Sequence, residues 1–332
     1  MSGVRTASHA GDWYTAEPDG LEHDLDRYLD AVPEQINDSD LPVKGARVII
    51  APHAGYSYSG PCAAWAYKAL DLGAAKRVFI LGPSHTYYLS GAALTTYAAY
   101  ATPLGDLRVD VDTVAALRAT GRFSDVPRQR DEDEHSLEMH LPYLAKRLAQ
   151  TFGPQDTPAA WPPVVPIVVG DNGREAERAL GELLVPYLRD RDSAFIVSSD
   201  FCHWGSRFSY TAYTPDGTEA GVRSLTRRDA APDLPVPIHE SISALDHMAM
   251  GAIESGSHDA FFDNLKATGN TVCGRHPIGV VMAGLEALRK EKAESSGLKG
   301  DGVFTFVKYD RSSLVNGLRD SSVSYGSAYA II

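Results

Sequence analysis

Short runs of consecutive apolar residues alternate along this chain with stretches in which apolar positions recur every three or four residues. The runs at 47–51, 77–81, 163–169 and 194–198 are strand-length and apolar throughout, as strands inside a sheet should be. Leu21, Leu25 and Leu29 predict an amphipathic helix over 20–29, and an alanine-rich stretch through Ala63 and Tyr67 predicts a second after a Gly/Ser/Tyr loop at 54–60. Further helices are expected after Asp112, which can cap one carrying Val114 and Leu117, and over 135–149, 175–188, 242–254, 259–268 and 278–290. The 135–149 helix opens on Asp131-Glu132-Asp133-Glu134, charges that suit a helix dipole, and the 278–290 helix has Pro277 in its first turn. Short strands are expected at 107–111, 303–309 and 323–325.

This alternation implies an α/β fold, a single domain over residues 1–332 with a central mixed sheet flanked by helices. No repeat or linker interrupts it. Residues 153–163, 214–237 and 290–302, rich in Pro, Gly and polar residues, read as surface insertions that carry no chemistry.

Composition narrows the partners. The chain has 332 residues and a formal charge of -12, which argues against nucleic acid or an anionic membrane surface. No apolar run approaches the roughly 20 residues of a membrane span. Three cysteines without framework spacing point to free thiols in a reducing compartment. The expected location is cytoplasmic, with the nucleus left open.

The candidate chemistry sits where strands end. Ile49-Ile50-Ala51-Pro52-His53, Phe79-Ile80-Leu81-Gly82-Pro83-Ser84-His85 and Phe195-Ile196-Val197-Ser198-Ser199-Asp200-Phe201-Cys202-His203 each deliver polar side chains at a carboxyl end. In an open α/β sheet that edge is where ligands bind. His53 and His85 are therefore candidate metal ligands, although either histidine alone is more often a hydrogen-bonded turn residue. Asp200 and His203 form a candidate acid/base pair, with a helix N-cap as the bland alternative.

Cys273 precedes a helix start beside Arg275, a setting that favours thiolate and hence a soft ligand; Cys62 and Cys202 read as small buried hydrophobes. Glu134-His135-Ser136-Leu137-Glu138-Met139-His140 lacks zinc-motif spacing, and His135 and His140 fall on different helical faces. That segment reads as an acidic helix start with one or two polar residues turned to the pocket. His9, His23, His239, His247 and His258 read as surface or structural.

These segments, together with Ala7-Ser8-His9-Ala10-Gly11-Asp12-Trp13-Tyr14-Thr15, Cys273 to Val280 and Asp320-Ser321-Ser322-Val323-Ser324-Tyr325, resemble the Memo family over nearly the whole chain. The resemblance implies the fold of the class III extradiol dioxygenases, non-haem iron enzymes in which two histidines and a glutamate hold Fe(II). By position, His53 and His85 would be the histidine ligands, His203 the acid/base histidine, and Cys273 would stand at the glutamate. A thiolate there changes the electron donation to a bound iron and sets the family apart from ring cleavage. The resemblance further implies iron or copper binding with redox chemistry. For animal members it also implies a phosphotyrosine receptor peptide in a pocket walled by Trp13, and roles in microtubules, signalling and cell motility.

Two functions follow. One is a redox-active metalloprotein holding Fe(II) or copper on His53, His85 and Cys273, open to a small-molecule substrate. The other is a non-catalytic adaptor holding a phosphorylated peptide in a vestigial dioxygenase pocket, with His53, His85, His203 and the amides near Cys273 as donors.

Overall fold

The apolar runs become strands that are buried at nearly every position: Ala46–Ala51 (β1), Arg77–Pro83 (β2), Val164–Val169 (β5) and Ser193–Ser198 (β6). The computed structural model describes residues 1–156, 160–226, 228–229, 233–296 and 302–332. Among them a nine-stranded mixed sheet is completed by Ala92–Leu94 (β3), Phe123–Asp125 (β4), Asp200–Trp204 (β7), Phe304–Arg311 (β8) and Ser322–Ile331 (β9). Its order is β7-β9-β1-β6-β2-β5-β3-β4, with β8 also paired to β9.

The four central strands are parallel, with Ile196 level with both Ile49 and Ile80. Their carboxyl ends therefore open on one edge. Helix Tyr56–Ala69 (α2) carries the chain rightward from β1 to β2, and Arg174–Arg189 (α7) carries it leftward from β5 to β6. Right-handed crossovers in opposite directions place these helices on opposite faces, which explains why the central strands have no polar side. Pro18–Asp30 (α1) packs on α2, while Arg275–Ser296 (α10) packs on α7 and on β6 and β2. Ile238–Glu254 (α8) and His258–Thr268 (α9) complete the layer beside β7 and β8.

Several elements depart from expectation. In the 107–111 run Leu107–Arg108 is strand and Val109 bridges Val164, but the helix Val111–Ala119 (α3) then begins, capped by Asp110, whose Oδ1 accepts from the Thr113 amide at 3.0 Å, rather than by Asp112. Tyr56 begins α2, inside the expected loop. The 135–149 helix is three pieces, Arg128–Asp133 (α4), His135–Glu138 (α5) and Leu141–Phe152 (α6). Glu134 breaks it by turning extended (ψ 118°) so that its side chain caps α5 at Ser136. The chain from Asp200 is strand, not an N-capped helix.

Of the expected surface insertions, 157–159, 227, 230–232 and 297–301 lie outside the described residues. Within the rest, regular structure extends into two of the three stretches. Arg223–Ser224 pairs with Ala212–Tyr213, and α10 continues past Lys290.

Candidate metal centre

Three histidines converge beyond the parallel strand ends. His53 follows β1, His85 follows β2, and His135 is the first residue of α5. Among the described residues, one donor atom from each of the three lies within 4.8 Å of the other two. His53 and His85 were expected; His135 was not, because judging it by helical face presumed one unbroken helix. The available signal was Glu134-His135-Ser136, a capping carboxylate followed by an imidazole at a helix start.

Local sequence makes the convergence fit. A Cβ on Gly82 would stand 2.6 Å from Ser136 Oγ and 2.9 Å from Leu137 Cδ2, so glycine lets α5 lie against the end of β2. Fully buried Arg5 donates to Glu138 Oε2 at 2.7 Å and to the carbonyls of Asp131 (2.9 Å) and Glu134 (2.8 Å). It thereby ties the N-terminal segment to the broken helix. Glu138 also accepts from the His9 amide and Nδ1 and from Tyr14. Trp13 then lies on His135 at 4.5 Å between ring centroids, and His135 stacks on His85 at 4.4 Å and 15°.

Hydrogen bonds fix which nitrogens stay open. Ser198 has one hydroxyl proton and donates it to the Ser136 carbonyl at 2.7 Å, so the 2.6 Å contact from His53 Nδ1 places a proton on that nitrogen. Nε2 of His53 keeps its lone pair. His85 gives Nδ1–H to Glu134 Oε1 at 2.8 Å and its amide to Oε2 at 2.6 Å, again leaving Nε2 free. Such outer hydrogen bonds orient metal-binding imidazoles in known sites.

Electrostatics agree. Burial, reinforced by the neighbouring imidazoles, holds His53 well below the usual histidine pKa; burial and then His85 lower His135 to about 4. Both rings are neutral near pH 7, as ligands must be. Burial alone would raise Glu134, yet the hydrogen bonds and charge of His85 and the Ser136 amide bring it down to about 2.

The other expected residues surround this group. Cys273 Sγ is 3.1 Å from His53 Nε2 but does not belong to the three-donor group. Its expected thiolate character is reversed: desolvation and then the Asp200 carboxylate push the thiol well above its ordinary pKa. Asp200 is buried and accepts from the His53 amide at 2.9 Å; burial raises its carboxyl, with His203 and the amides pulling the other way. His203 does not hydrogen-bond to Asp200. Its Nδ1 donates to the carbonyls of Phe201 (2.8 Å) and Thr271 (3.1 Å), leaving Nε2 for the pocket. Asp200 thus places the His53 backbone, and His203 is the candidate base on its own.

The cavity in front of the imidazoles has a volume of about 490 Å³. Trp13, His203, Arg207 and Phe208 form its walls.

Comparison with known proteins places the chain. Residues 5–329 match the family described as Memo-like protein. Protein MEMO1 of Homo sapiens is 42% identical over 323 residues, covering 97% of this chain and 96% of that protein. Protein MEMO1 of Xenopus tropicalis is 42% identical over 328 residues, covering 99% and 97%. The memo-1 homolog of Caenorhabditis elegans is 38% identical over 329 residues, covering 99% and 83%. A solved structure of an uncharacterized Escherichia coli K12 protein aligns with TM-score 0.45 at 11% identity, over 83% of this chain and 98% of that one. On the strength of the full-length match and these identities, the chain belongs to the Memo-like protein family.

Proposed function

We propose that this Memo-like protein binds iron or copper in the histidine pocket, with His53 and His85 as the fixed pair of ligands, and that the bound ion serves redox chemistry tied to signalling. The observation that carries this reading is the convergence of three imidazole donors within 4.8 Å, two of them with Nδ1–H committed to the protein so that Nε2 carries the lone pair. An ion there would supply Lewis acidity or electron transfer to a small molecule. The chain supplies the rest: Trp13 and Phe208 wall the cavity, and His203 Nε2 can accept or return a proton at its edge. Anaerobic titration of metal-stripped protein with Fe(II) and Cu(I) tests it. Near-stoichiometric binding, weakened at least ~100-fold in His53→Ala, is expected for loss of a ligand. Equal binding by variant and wild type would sink the assignment.

A second reading is favoured by one feature. Arg207 is exposed at the pocket wall, its guanidinium 4.4 Å over the Phe208 ring. A cation beside an aromatic face suits the phosphate and ring of a phosphotyrosine peptide. Peptide binding that survives chelation and is lost in Arg207→Ala would support an adaptor role.

A further inference from the structure

The turn Ser206–Phe208 contributes to two cavities. Arg207 and Phe208 wall the histidine pocket, whereas Ser206 lines a second cavity of about 810 Å³ with Thr211, Leu225, Thr226, Leu318 and Arg319. No described residue lines both. We propose that this second cavity is a binding site for a small organic anion, a carboxylate that carries an apolar body and a hydroxyl group.

The walls are set by the fold before any ligand arrives. Leu225 is buried in a small apolar cluster with Trp204, Tyr213 and Ile242, and Leu318 packs against it. The Leu225 amide donates to the Thr211 carbonyl at 2.8 Å, and Thr211 Oγ1 donates back to the Leu225 carbonyl at 3.0 Å. On the Arg319 side, Asp320 Oδ2 accepts from the Asn316 and Gly317 amides, each at 2.9 Å, and folds that loop. A Cβ on Gly205 (φ 128°) would stand 2.8 Å from Ser321 Cβ and 2.9 Å from the Asp320 carbonyl oxygen. Glycine there lets the turn lie against the loop. Ligand sites are usually pre-formed in this way, with few polar groups among apolar ones.

The class of ligand follows from which polar groups are already spent. Thr211 gives its hydroxyl proton to Leu225, and Thr226 gives its own to Asp229 Oδ2 at 2.9 Å, so both oxygens keep only acceptor capacity. Among the described residues, Ser206 Oγ makes no hydrogen bond, and the Arg319 guanidinium has neither a hydrogen bond nor an ion pair. The nearby carboxylates are engaged elsewhere, Asp229 by Arg223 and Thr226 and Asp320 by its two amides. A guanidinium without a counter-charge at a cavity wall selects an anion, and its planar fork fits a carboxylate. One such cation matches one negative charge. Ser206 can add a donor to the same head, Leu225 and Leu318 cover the apolar body, and the threonine lone pairs accept from a hydroxyl.

The test titrates ω-hydroxyoctanoate into the full chain carrying labelled leucine methyls, followed by NMR, with octanoate and ω-hydroxyoctanamide as comparisons. Saturable shifts of the Leu225 and Leu318 methyls are expected. The uncharged amide should bind at least about 10-fold more weakly, and Arg319→Ala should weaken the acid by a similar factor while leaving the amide unchanged. Octanoate, which lacks the hydroxyl, should bind about threefold more weakly. Arg319 is exposed, so an unchanged spectrum away from the cavity checks that the variant folds. No saturable shift, equal binding of acid and amide, or wild-type affinity in Arg319→Ala overturns the anion site. Octanoate binding as tightly as the hydroxy acid overturns the hydroxyl requirement. Shifts confined to the imidazole signals of the histidine pocket place the anion there and overturn the second site.

Discussion

Two regions of this molecule pair buried carboxylates with histidines, and they leave the remaining ring nitrogens in different settings. At the strand ends, His53, His85 and His203 each give Nδ1–H to the protein, through Ser198, Glu134 and two carbonyls, which leaves the lone pair on Nε2; that of His53 faces the Cys273 sulfur at 3.1 Å. Between α7, α9 and α10, buried Glu177 accepts from His258 Nε2 at 2.6 Å and His276 Nδ1 at 2.7 Å. There the second nitrogen of His276 lies 3.3 Å from Asp171 Oδ1, and His258 Nδ1, without a hydrogen bond but 4.0 Å from Asp259 Oδ1, is fully enclosed. The residue types are the same. What differs is whether a nitrogen remains that a ligand can reach, so the first region can bind and the second fastens helices together.

The largest effect should come from breaking the closed region. Glu177→Ala removes the acceptor shared by two histidines, one wholly buried, and should cost about 4 kcal/mol in a urea unfolding titration, as loss of one partner of a buried pair does. The distinction between the regions also predicts that metal stoichiometry is unchanged in this variant. A collapse of metal binding without loss of stability would erase the distinction.

The open region has its own fastening, and acid should undo it. Burial would raise the Glu138 carboxyl, but hydrogen bonds from His9 and the charge of Arg5 lower it from 4.5 to about 2. A depressed carboxyl pKa contributes stability that is present above the unfolded value and lost as pH falls through the folded one. Between pH 4.5 and 2, wild type should therefore lose about 2–3 kcal/mol through this group, and Glu138→Gln should show a flatter pH slope. Equal slopes would mean the Arg5–Glu138 pair does not hold the pocket's N-terminal wall.

How much of this the sequence discloses depends on distance along the chain. β1, β2 and β6 were legible because their apolar runs are local, and with them came the placement of His53, His85 and Asp200 at one edge. His135 was not legible. Its position depends on a helix break at Glu134 and on Arg5, more than 120 residues away in sequence, gripping that break. The Cys273 environment was misread for a related reason. A helix start and Arg275 are visible nearby in sequence, but the burial and the Asp200 carboxylate that outweigh them belong to β6 and β7 folding against α10.

The smallest predicted effect probes what makes a nitrogen open. Ser198→Ala leaves every candidate ligand in place and removes only the hydroxyl that receives His53 Nδ1–H and donates to the Ser136 carbonyl. One buried donor and one buried acceptor lose their partner, which should cost about 1–2 kcal/mol of stability. With no acceptor at Nδ1, the proton is free to move to Nε2, where it blocks the lone pair needed for a ligand. Metal affinity should fall about 10-fold, the lower end for loss of an orienting outer contact. If Ser198→Ala loses stability but binds metal as wild type does, the stacked rings alone orient His53. The difference between the two regions would then lie in access to solvent, and not in the commitment of Nδ1.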